Sequence, residues 1–157
     1  MTRLPALLPA ILLVTALPAA AQSVGDCGEW VSAANIVEPW EENAASYANG
    51  EVRLAQLDTI EPAGAPVHLL ILSPPYGEGQ ERQCRTVSLV GAPEGGWPSG
   101  FWSMDFPART SSYDPATGLT VVIPVKTFVP ETGDGAPARL TVTINQATGQ
   151  IGAKLSE

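Results

Sequence analysis

Apolar and polar positions alternate with period two through much of the chain after residue 22. In "RLTVTIN", Leu140, Val142 and Ile144 fall on one face and Thr141 and Thr143 on the other, the pattern of a half-buried strand. In "LTVVIPV", Leu119, Val121, Ile123 and Val125 share a face, while Pro124 has no N–H for a ladder and predicts an edge or a bulge. "PVHLLILSPP" reads as a continuous apolar strand ending at Pro74-Pro75. "RQCRTVSLVG" reads as another from about Gln83 to Val90, joined to it by the turn-forming "PPYGEGQE".

Turn chemistry separates these runs. "SSYDPATGLTVVIPV" and "TVTINQATGQIGAKL" each carry Ala-Thr-Gly, with Gly118 and Gly149 where a left-handed residue closes a type I turn with a G1 bulge. Both predict β-hairpins. The flanks do not match over 20 residues, so the shared wording is a turn solution used twice and not a repeat architecture. Asn49-Gly50 in "SYANGEVRLAQLD" predicts a two-residue hairpin turn. The competing reading is a helix from Pro39 to Ala48 capped by Asn49 and Gly50; the hairpin is preferred.

About eight short strands follow from this count, with Gly- and Pro-rich connections and no helix beyond two or three turns. The expected fold class is all-β, an antiparallel meander closing as a small barrel or a two-sheet sandwich.

The stretch "GGWPSGFWSMDF", residues 95–106, concentrates aromatics in a chain with little aromatic content elsewhere. Taken as a strand, residues 101–109 put Trp102, Met104, Phe106 and Ala108 on a core face, and Phe101, Ser103, Asp105, Pro107 and Arg109 toward water. Trp97 and Phe101 are then the candidate interaction surface, a partly exposed lip able to anchor a partner or stack on a sugar ring. The competing expectation is that Trp97 folds back over the open end of the sheet. Trp30 and Trp40 are expected to pack inward, with Trp30 beside the disulfide.

Residues 1–21, "MTRLPALLPAILLVTALPAAA", have a basic start, a short apolar run and Ala19 and Ala21 before Gln22. This is the layout of a signal peptide cleaved after Ala21, and the run is too short to span a bilayer. No Cys stands immediately after the cleavage point, as a lipid anchor would need, and no membrane insertion is expected. Residues 22–157 are the length of one domain. Cys27 and Cys84, the only cysteines, are expected to form a disulfide in an oxidising compartment, periplasmic or secreted.

The formal net charge is −8, and loss of Arg3 with the leader makes it more negative. Such a chain repels phosphate backbones, so nucleic acid is not an expected partner. Asp26, Glu29, Glu38, Glu41, Glu42 and Glu51 precede the first base of the mature chain and are read as a solvated face.

His68 is the only histidine and lies inside a strand, on the face opposite Val67 and Leu69. With no G-x-S-x-G elbow and both cysteines paired, neither a nucleophile relay nor a zinc or copper site is expected, and His68 is read as structural. "ETGDG" and "YDPATG" lack the D-x-D-x-D-G calcium spacing. No catalytic residue, metal or cofactor is expected.

"NIVEPW" (35–40), "ANG" with "VRLAQLDT" (48–59), "HLLILSPP" (68–75), "RQC" (82–84) and "TVTINQATG" (141–149) resemble a family of small secreted proteins of Gram-negative bacteria with no assigned activity. The resemblance implies an exported envelope domain and assigns no site residue.

The functional expectation is a monomeric, non-enzymatic accessory or inhibitor module that binds another envelope protein. The alternative is a small-ligand-binding barrel, and a hydrolase using paired carboxylates ranks third. A ligand barrel should retain an internal cavity of about 300 Å³ or more, whereas a protein-binding module should have a filled core and an exposed apolar patch.

Overall fold

The computed structural model describes residues 22–60, 65–94 and 96–157; the expected leader lies outside the described residues. Five strands, β1 (Ser23–Asp26), β2 (Ala44–Tyr47), β3 (Val52–Asp58), β4 (Val67–Tyr76) and β5 (Arg82–Ser88), form an antiparallel sheet in the order β1-β5-β4-β3-β2. The second sheet takes β6 (Ser103–Met104), β7 (Thr110–Asp114), β8 (Gly118–Val129), β9 (Asp134–Ile144) and β10 (Ile151–Ser156). Its order is β10-β9-β8, with β6 and β7 in succession along the remaining edge of β8. Among the described residues the architecture is sandwich-like and antiparallel, with no closed barrel and ten strands where about eight were expected. Strands as short as β6 and β1 carry too few alternations to register a period.

The inward faces supply one core. Val52, Leu54, Leu69, Ile71 and Val87 of the first sheet meet Val121, Ile123, Leu140, Val142 and Ile144 of the second, each at most 1% exposed. The alternation read in "RLTVTIN" and "LTVVIPV" is therefore the real core face. Pro124 lies inside β8, paired with Arg139 of β9. Its carbonyl accepts from the Asp105 N–H, so the side lacking a donor faces the gap where β7 has ended and β6 takes over.

Both Ala-Thr-Gly turns close hairpins. The Asp114 carboxylate accepts the N–H groups of Ala116 and Thr117, and the Asn145 side-chain oxygen accepts those of Ala147 and Thr148. Gly118 has φ +93°, and a Cβ there would sit 2.2 Å from the Ile144 carbonyl oxygen, so no other residue fits.

Residues 39–50 combine the two competing readings. A single helical turn, α1 (Trp40–Asn43), leads into the β2–β3 hairpin. Its connection is longer than a two-residue turn, with Ala48, Asn49 and Gly50 all at positive φ.

The aromatic stretch does not run as one strand. Ser99 bridges Val90, and Phe101 exchanges hydrogen bonds with Val67 of the first sheet, whereas the Trp102 N–H already donates to Lys126 of the second. The chain changes sheets at this point, which resets the alternation. Phe101 is 0% exposed, so its assignment to an exposed lip is corrected: it plugs the core beside Phe106 and Met104. Ala108, expected inside, is exposed, and Trp102 stacks on Phe128 with centroids 5.2 Å apart.

Candidate functional site

The outer face of the first sheet carries a buried row that a two-sided strand pattern does not advertise. Leu57 of β3 pairs with His68 of β4, and His68 Nδ1 is hydrogen-bonded to Ser88 Oγ of β5 at 2.8 Å. His68 and Ser88 are each 2% exposed. A neutral imidazole suits this setting, because burial disfavours its charged form. That burial lowers the His68 pKa to about 4, with the nearby Asp58 charge acting in the opposite direction.

Two segments cover this row. The first leaves β1 through Cys27, which is disulfide-bonded to Cys84 of β5 as expected, and closes a turn from the Val31 N–H to the Gly28 carbonyl. This lays Trp30 against His68, ring centroids 4.8 Å apart at 52°. Trp30 was expected beside the disulfide; the bond holds its segment, while the ring covers the histidine. The disulfide itself is characteristic of an oxidising extracellular or periplasmic environment.

The second segment is the loop before the sheet change. The Gly100 N–H donates to the Ala65 carbonyl at 2.9 Å. A Cβ on Gly100 would lie 2.3 Å from the Val67 carbonyl oxygen and 2.9 Å from the His68 ring, so only glycine lets this backbone pass. The loop carries Trp97 into a stacked arrangement with Trp30, centroids 6.5 Å apart at 28°. Trp97 does not close the sheet end; it is 66% exposed.

Between these parts lies a pocket of about 210 Å³. Trp30, Trp97 and Pro98 line it together with Thr59, Ala65 and Ser99, and His68 lies at its base. None of these residues carries a full charge at neutral pH. Beyond the tryptophan pair, a more open depression shares Trp30, Trp97 and Pro98 and extends to Ser23 and Thr86. Of the two residues offered as an interaction surface, the structure leaves Trp97 exposed and removes Phe101. Trp30 and His68 were missing from that set, because neither the period nor the spacing links residues 30, 68 and 97.

The other candidate chemistries find less support. Trp40, expected to pack inward, is instead 50% exposed, beside a surface depression flanked by Glu38 and Glu41, both exposed. Among the described residues no group of three or more His, Cys, Asp or Glu could hold a metal ion, and no helix is long and apolar enough to cross a membrane. No protein-family model, curated protein or solved structure matches the chain.

The buried histidine makes stability depend on pH with a definite sign. Its pKa is lower in the native state than the ordinary 6.5, so the unfolded chain binds the proton first. The contribution of His68 to stability is intact above pH 6.5 and is lost as pH drops toward 4. The wild type is expected to lose roughly 3 kcal/mol more than His68→Gln between pH 7 and pH 4. Urea unfolding of both proteins across that range measures it, and parallel pH profiles would contradict the assignment.

Proposed function

We propose that this chain is an exported, non-enzymatic binding module of a bacterial envelope, and that it engages another envelope protein through the end carrying Trp97. The observation that carries this reading is the contrast between a filled inter-sheet core and an indole left 66% exposed on a braced loop. An exposed tryptophan held by a stack on Trp30 offers large contact area with little rotamer entropy left to lose. Exposed Val90, which bridges Ser99 in the same strand switch, and exposed Ile60, next to Thr59 of the pocket, extend the apolar surface.

Ile60 adds a second reason. It is 84% exposed and sits at φ +55°, a conformation costly for a β-branched residue, with its N–H held by the Asp58 carboxylate at 2.7 Å. Strain of this kind at an exposed apolar residue supports a contact role.

The small-ligand reading changes form. The described residues form no closed barrel to enclose a cavity, and the pocket over His68 is where a ligand would fit.

The test is in-cell crosslinking of the mature chain with mass spectrometry of captured partners, beside Trp97→Ala. One partner captured by the wild type and lost from the folded variant is the expected result. Equal capture by both proteins would move the contact away from Trp97, and capture of none would remove the protein-partner reading.

A further inference from the structure

We infer that the pocket formed by Trp30, His68 and Trp97 is a binding site for one uncharged sugar ring. The inference uses the same end of the molecule as the proposed protein contact but does not depend on a protein partner.

A pyranose has two kinds of surface: an apolar face of C–H groups and a rim of hydroxyls. The pocket answers both. The indoles of Trp30 and Trp97 are broad, flat and fixed in a stack, the surface on which a C–H face packs. Thr59 and Ser99, beside the buried His68, carry hydroxyls without full charge, suited to the neutral hydroxyls of a sugar, which both donate and accept.

Size and preorganisation agree. The pocket's volume of about 210 Å³ lies below the ~300 Å³ at which drug-sized ligands begin, and it suits a single ring or the end of a chain of rings. His68 is held by Ser88 behind it and covered by Trp30, so its ring is oriented before any ligand arrives. Trp30 is anchored three residues from the Cys27–Cys84 bond, and the Trp97 loop is pinned by Gly100 and Phe101. Binding to such walls requires little ordering.

Charge narrows the ligand class. Among the described residues no Lys or Arg lines the pocket to receive a phosphate, sulfate or uronate, and the net charge of −8 disfavours anions in general. Two tryptophans could also hold a quaternary ammonium group; Asp58 lies near His68, and Asp26 and Glu29 line the adjoining depression, so choline is titrated as the competing ligand.

The experiment is a titration of the mature chain with a panel of uncharged di- and trisaccharides, following tryptophan fluorescence and the indole N–H signals in NMR spectra. Choline and a sulfated disaccharide are the charged controls, and Trp97→Ala and Trp40→Ala are titrated in parallel. Trp97 and Trp40 are both largely exposed, so both variants retain the fold.

The expected result is a saturable change with at least one uncharged sugar, shifting the signals of Trp30 and Trp97. Affinity should weaken about tenfold in Trp97→Ala and stay unchanged in Trp40→Ala. The inference is overturned by the absence of saturation with every uncharged sugar, by equal affinity in Trp97→Ala, or by a response confined to choline or the sulfated sugar. Failure here leaves the crosslinking result untouched, and a captured protein partner does not rescue the sugar site.

Discussion

Phe101→Ala should lower the folding free energy by about 3–5 kcal/mol, whereas Trp97→Ala, four residues earlier, should change it by no more than about 0.5 kcal/mol. Phe101 is 0% exposed and its backbone is paired to Val67 in both directions, so removing the ring leaves a cavity that the paired strand cannot collapse to fill. Trp97 touches Trp30 on one side and water on the other. A loss of 3–5 kcal/mol is a large part of the roughly 5–15 kcal/mol that holds a domain folded. Urea denaturation of the two variants and the wild type provides the comparison. Equal, small losses would mean that the sheet change at residues 99–102 does not bury Phe101.

Removing the disulfide is the second large effect. Cys27 and Cys84 are 57 positions apart, and in the chain-entropy account a cross-link closing a loop of that size stabilises by roughly 4 kcal/mol. Cys27→Ala with Cys84→Ala should lose about that much. The consequence reaches the site: β1 remains paired to β5 from Ser23 to Asp26, but the turn that carries Trp30 loses its covalent anchor immediately after Asp26. The double variant should therefore show weaker contact between Trp30 and His68, read as altered chemical shifts of the His68 ring. A variant as stable as the wild type would show that the backbone pairing of β1 suffices alone.

The two substitutions separate what local chemistry makes readable from what it does not. The hairpins at residues 114–118 and 145–149 are encoded within five residues each: an Asp or Asn whose side chain accepts the turn N–H groups, and a glycine at positive φ. The core faces of β8 and β9 are encoded by alternation over runs long enough to repeat it. The disulfide follows from there being only two cysteines and from the oxidising compartment that the expected leader implies.

Phe101 breaks from this pattern for a physical reason. Alternation assigns faces only while a strand stays in one sheet, and here the backbone pairs with Val67 at residue 101 and with Lys126 at residue 102. Neighbouring residues 101 and 102 can then bury against different layers. Barrel against sandwich was undecided for a related reason, since both satisfy the same alternation and differ only in whether the edge strands meet.

The sequence by itself determined an antiparallel all-β chain, its two Asp- or Asn-initiated hairpins, its core-facing residues in the long strands and its single cross-link. These depend on φ/ψ preferences, side-chain period and cysteine count, which act within a strand or a turn. The tertiary structure alone decided that His68 is buried on the outer face of a sheet, that Trp30 covers it and that Trp97 stands exposed beside them. Those three residues are brought together by a disulfide-held turn, the start of the middle strand of the first sheet and a glycine-dependent loop, and their meeting is a property of how two sheets exchange a chain.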